Sequence, residues 1–188
     1  MKNRKSPKWT ALVLLFLFGA ASGAAQELPP APKGFSWIKL PEIKGALLSP
    51  NGWHFLKEEK QGTLAYFITE QDIRKEGRFQ TGLSLNVLPP RKSTPAKEYA
   101  AAYISKVAKE NELLQIWDTQ AGALVGYGCR VRTKDKTRGP LILHTLMLAN
   151  TRTNRLYLFV FESPEKNWTA AWKLGEQMMT MLVLDDEV

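Results

Sequence analysis

Apolar residues recur along this chain with two different periods, and the switches between them mark out its elements. Phe79, Thr81, Leu83, Leu85 and Val87 alternate with Gln80, Gly82, Ser84, Asn86 and Leu88. That period of two predicts a half-buried strand over 79–88, ended by Pro89 and Pro90. Two shorter strands, 54–58 and 63–69, precede it and meet across Lys60-Gln61-Gly62. The period then lengthens. Tyr99, Tyr103 and Val107, beside Ala100 and Ile104, form one apolar stripe at helical spacing, and 96–110 holds no breaker. Thr94 reads as the cap of this helix, Pro95 as its first position, and Asn111 as its end.

Strands return at 113–119 and 124–133 around Gln120-Ala121-Gly122, and at 141–149 and 156–161 around 150–154, where asparagine stands at both ends. The last two strands are apolar on both faces: Leu156, Leu158 and Val160 on one, Tyr157, Phe159 and Phe161 on the other. Such strands belong at the centre of a sheet covered on both sides. A helix from Pro164 to about Val183 closes the chain, with Ser163 as its cap and Trp168, Ala171, Trp172, Gly175, Met179 and Leu182 as its buried stripe. Short hairpins point to antiparallel pairing, and two helices suffice to cover the sheet. The predicted class is α+β, an α/β/α sandwich with a central antiparallel sheet. Helices do not alternate with strands and no G-x-G-x-x-G is present, so a doubly wound nucleotide-binding sheet is excluded.

The first 25 residues follow a different logic. Lys2, Arg4, Lys5 and Lys8 precede an unbroken apolar run of eight, 11–18, and then the small residues 19–25. That is the order of a secretory signal peptide, with cleavage expected after Ala25. The run is shorter than the roughly 20 residues a membrane-spanning helix needs, and no later segment of the mature chain spans a bilayer. Residues 26–34, rich in proline, read as an irregular tether, and 35–188 as a single domain. The formal charge of +8 over 188 residues invites nucleic acid. Removal of the four basic signal residues leaves 22 basic against 18 acidic, a net of +4, and an exported protein rarely meets nucleic acid. A single cysteine excludes an internal disulfide framework and a multi-cysteine zinc or iron–sulfur site, and two histidines exclude a histidine-rich metal centre.

Four strings carry a resemblance. They are Pro50-Asn51-Gly52-Trp53, Gly62-Thr63-Leu64-Ala65-Tyr66, Gly82-Leu83-Ser84-Leu85-Asn86-Val87, and Tyr157 followed by Glu162-Ser163-Pro164 and Trp168. With the order of elements, over roughly 48–184, they resemble the PsbP-like proteins, named for an extrinsic subunit of photosystem II. The resemblance implies an exported α/β/α sandwich that binds a protein partner or assists assembly of a complex. It assigns no metal-binding residue here.

Candidate chemistry is thin. Cys129 alternates with Tyr127 and Val131 on an apolar strand face, where a thiol is an inert small hydrophobe; as a nucleophile it would need His144 within reach. His144, among Leu143, Thr145 and Leu146, reads as a hydrogen-bonded core histidine, and His54 as a rim residue. Glu58 and Glu59 are adjacent in a strand and so point to opposite faces. The densest charge lies in 130–138, where Arg130, Arg132, Lys134, Lys136 and Arg138 oppose Asp135 alone. Arg130, Arg132 and Lys134 share a strand face. Two function classes follow. One is a non-enzymatic exported accessory protein without cofactor, docking on a protein partner or an anionic membrane surface through its sheet edge or this basic hairpin. The alternative is a small-ligand carrier or hydrolase with a pocket between sheet and helix, lined by Tyr66, Trp117, Cys129 or His144.

Overall fold

Seven strands pair antiparallel throughout, in the order β3-β4-β5-β9-β8-β7-β6. The computed structural model describes residues 28–90 and 93–187. The elements are β1 (Phe35–Leu40), β2 (Gly45–Pro50), β3 (His54–Lys60), β4 (Thr63–Thr69), α1 (Ile73–Glu76), β5 (Gly82–Leu88) and α2 (Ala96–Glu110). Then come β6 (Glu112–Ala121), β7 (Leu124–Asp135), β8 (Gly139–Asn150), β9 (Leu156–Pro164) and α3 (Trp168–Thr180). The export signal expected over 1–25 lies outside the described residues. Among the described residues no helix is long and apolar enough to cross a membrane.

The doubly apolar β9 sits at the middle of the sheet, between β5 and β8. Tyr157, Phe159 and Phe161 join the core beneath α3, while Leu156 faces α2 together with Cys129, Val131, Met147 and Ala149. The two layers differ in build. One side carries α2, whose buried Ala96, Ala100 and Ile104 rest on β7 and β8. The other carries α3 and the β1–β2 hairpin, which brings Phe35, Leu40, Leu47 and Leu48. This makes the α+β class and the antiparallel central sheet as expected, with a hairpin added to one helical layer.

The local readings that fail do so for visible reasons. The hairpin β1–β2 has no period in the sequence, because Ala46, Leu47 and Leu48 are all buried in succession. It is fastened from the far end of the chain, where the Ala46 and Val183 backbones exchange hydrogen bonds of 2.9 and 3.2 Å. Part of the tether is also held, since the Trp37 Nε1–H donates to the Pro29 carbonyl at 2.6 Å. β5 starts at Gly82 rather than Phe79, because the Gln71 side-chain carbonyl takes the N–H groups of Gln80 and Thr81. Thr94 does not cap α2. The Ala96 N–H is bonded by the Asn154 side chain at 2.6 Å, from the turn between β8 and β9. Ser163 is not a cap either. Ser163 and Pro164 still pair with Ile142 and Leu141, so β9 runs on and α3 begins only at Trp168.

Candidate functional site

Register decides which face each candidate residue occupies, because directly opposed residues of an antiparallel pair point the same way. Cys129 opposes Thr145 and Ile116, and Arg130 opposes His144 and Gln115. Cys129 therefore lies under α2, fully buried, and burial pushes its thiol up to about 11. His144 lies on the other face, under α3. The sheet separates the two groups that a nucleophilic reading would need together.

His144 is instead the centre of an aromatic column. Its ring is stacked 4.5 Å from Trp117 and tilted 4.2 Å from Trp172, which in turn stacks on Trp168 at 5.2 Å. Trp117 reaches this position because Gly128 opposes it on β7; a Cβ at 128 would overlap the indole. The Arg130 guanidinium lies over Trp172 at 4.4 Å and Trp168 at 5.2 Å, contacts worth about 0.5–2 kcal/mol. Its Nη2 is 3.2 Å from His144 Nδ1. Arginine only donates, so Nδ1 accepts and the imidazole is neutral with its proton on Nε2. Burial, and secondarily the Arg130 charge, hold the His144 pKa well below its usual value. The Arg130 Nε–H has no hydrogen-bond partner among the described residues.

The other basic residues divide sharply. Arg132 bonds Glu165 at 2.8 Å and also Glu112, tying β7 to the start of β6 and to the turn ahead of α3. Arg138 bonds Glu162 at 2.5 Å, the Asp135 carboxylate at 3.3 Å and the Phe79 carbonyl at 3.3 Å. Asp135 accepts from the N–H groups of Thr137 and Arg138, which with the Thr137 hydroxyl hold its pKa far below the usual carboxylate range. Lys134 and Lys136 alone of the five are exposed without an ion pair among the described residues. Exchange of the three arginines for glutamate would thus strike internal contacts as well as surface charge.

Tyr66 lies far along the sheet on β4. Its hydroxyl donates to Glu42 at 2.9 Å, and Lys57 bonds the same carboxylate. Those two donors and a backbone hydrogen bond hold the Glu42 pKa down to about 2. Tyr66, Trp117, Cys129 and His144 therefore do not converge. Only Trp117 and His144 touch.

A feature that the sequence named only as a sheet edge is now specific. β6 is one of the two edge strands, ten residues long, and among the described residues no strand pairs with its outer side. Leu113, Leu114 and Ile116 on it are 46%, 42% and 57% exposed. A register shift between Leu113 and Gln115 lies in the same stretch. Beyond the Glu112–Arg132 pair β7 continues without β6, so Lys134 stands at the end of this edge. The run Leu113-Leu114-Gln115-Ile116 is the signal in the sequence, since alternation would have left only every second residue apolar.

No protein-family model and no curated protein sequence matches the chain. Solved structures do. Cyanobacterial PsbP (CyanoP) from Synechocystis sp. PCC 6803 superposes with a TM-score of 0.51 at 13% identity, over 88% of this chain and 98% of that one. The Saccharomyces cerevisiae Ran-binding protein Mog1p gives 0.49 at 13% identity, over 81% and 97%. LpqN of Mycobacterium tuberculosis, a protein involved in cell envelope biogenesis, gives 0.44 at 8% identity, over 76% and 83%. CyanoP, matched over nearly its whole length, shows what the strand order and the two unlike layers amount to: this chain has the PsbP-like fold.

Proposed function

We propose that the chain is an exported, non-enzymatic accessory protein that takes a segment of a partner polypeptide as an added strand along β6. The observation that carries this reading is the open, ten-residue edge with three exposed apolar side chains. Soluble proteins usually blunt such edges with lysine, proline, a bulge or a covering element, because unpaired N–H and C=O groups template further pairing; β6 has a register shift at Leu113–Gln115 and runs regularly from there to Ala121. Strand addition uses those groups for affinity and alternate side chains for specificity. Lys134, and Lys136 in the adjoining turn, favour an acidic residue at that end of the partner segment. A lipid surface suits the site less well, since hydrocarbon leaves edge N–H and C=O groups unpaired. The separation of Cys129 from His144 by the sheet supports binding over nucleophilic catalysis. The basic, apolar, small-residue order of 1–25 supports export, with 35–188 as the working domain.

The test is site-specific photocrosslinking in the native host, with a benzophenone amino acid at 114 or 116 and, as control, at 59 on the opposite sheet edge. Protein adducts are expected from 114 and 116 and not from 59, and Ile116→Lys should remove the adduct formed from 114. A self-adduct would still be strand addition, with a second copy as partner. Equal adducts from 59, or none from 114 and 116, would overturn the reading.

A further inference from the structure

α2 covers only part of its side of the sheet. On that same face, at the other end, Leu56 opposes Phe67, and Phe67 opposes Ser84, with no long helix above them. The α1 segment between β4 and β5 flanks them, and an open cleft of about 380 Å³ lies between the two. Leu56 and Phe67 line its sheet side, while Ile73 and Phe79 line it from the α1 segment. Phe67 and Phe79 are already tilted against each other at 6.4 Å. That volume lies within the range of small-molecule sites, about 300–1,000 Å³.

Four charges line the same space: Arg138 and Glu162, Glu58 and Arg78. The first two neutralise each other at 2.5 Å. Glu58 on β3 and Arg78 after α1 are both exposed, and neither has an ion pair among the described residues. A largely apolar cleft thus has one unspent anion and one unspent cation at its lining. A purely anionic ligand would meet Glu58, a purely cationic one Arg78, and a hydrocarbon would leave both without a partner where it displaced their water.

We propose that this cavity binds a small zwitterion with an apolar side chain, an α-amino acid of the phenylalanine or leucine kind. The carboxylate would pair with Arg78, the ammonium with Glu58, and the side chain would lie against Leu56, Phe67, Ile73 and Phe79, where the two rings favour an aromatic one. The site stands toward the opposite edge of the sheet from β6 and does not depend on strand addition there.

The test is an NMR titration of the isotope-labelled full chain with L-phenylalanine and L-leucine, beside N-acetylphenylalanine, which lacks the ammonium, and phenylalaninamide, which lacks the carboxylate. Shift changes should centre on Leu56, Phe67, Ile73 and Phe79, with both derivatives about tenfold weaker than phenylalanine. Glu58→Gln, at an exposed position, should bring phenylalanine down to N-acetylphenylalanine. Arg78→Gln should bring it down to phenylalaninamide. Derivatives that bind as well as the free amino acid would overturn the proposal, as would shifts centred elsewhere. No saturation by either amino acid at about 10 mM would do the same.

Discussion

Arg130 and His144 show how one residue's neighbours set its chemistry. Indole faces above and a sheet below remove water from both, and the fixed arginine charge leaves the imidazole only its neutral form. The sign of the resulting pH dependence follows. His144 has a folded pKa well below that of the unfolded chain. Above pH ~6.5 both states are neutral at this site and it adds no pH dependence. As pH falls below that value the unfolded chain takes up a proton that the fold refuses, and stability drops by up to about 1.4 kcal/mol per pH unit until the folded pKa is reached. Urea unfolding of wild type and His144→Phe at pH 7.5 and 5.5 should show a larger acid loss in the wild type. A parallel loss in both would place the titration elsewhere.

At the scale of elements, the contacts that position each piece come from distant parts of the chain. The first N–H of α2, at Ala96, donates to the side-chain oxygen of Asn154, which follows it by two further hairpins. Asn154→Ala should therefore cost about 1 kcal/mol, the usual value of an N-terminal cap, although the residue lies outside the helix. Denaturant titration measures this, and Thr94→Ala should cost much less. The extent of Ala96–Glu110 was legible in the sequence because a single buried face imposes its period on the residues. The cap of α2 was not, because any side-chain oxygen brought near an unpaired N–H can serve, and the start of α3 was not, because β9 stays paired through Pro164. The β1–β2 hairpin was illegible for a similar reason. Its register is set by Val183 and by the core under α3, and its own pattern is nearly continuous burial.

Across the whole molecule, charge divides into what the fold consumes and what it presents. The nine residues 130–138 look like one basic patch in sequence, yet Arg130, Arg132 and Arg138 each close a contact between elements. Only Lys134 and Lys136 remain for a partner. Arg130→Ala should lower stability by about 1–2 kcal/mol, through loss of its indole and imidazole contacts. Lys134→Glu with Lys136→Glu should stay within about 0.5 kcal/mol of wild type while weakening capture at the β6 edge. Thermal melts and the crosslinking yield at 114 separate the two effects. A destabilised lysine double variant would mean that the turn, too, belongs to the fold.

The sequence by itself determined the period of each strand and helix, the two-sided burial of β9 and hence a covered antiparallel sheet, because these depend on which side chains avoid water. It also placed Cys129 on an apolar face, by alternation alone. Only the tertiary structure decided which of the two faces each candidate residue takes. It set Cys129 and His144 on opposite sides, withdrew three arginines into the fold, left β6 as an edge strand and left an open cleft beside α1. The reason is physical. Burial is a property each residue carries with it, whereas pairing, capping and convergence depend on what register and chain crossing bring within about 3 Å, the reach of a hydrogen bond.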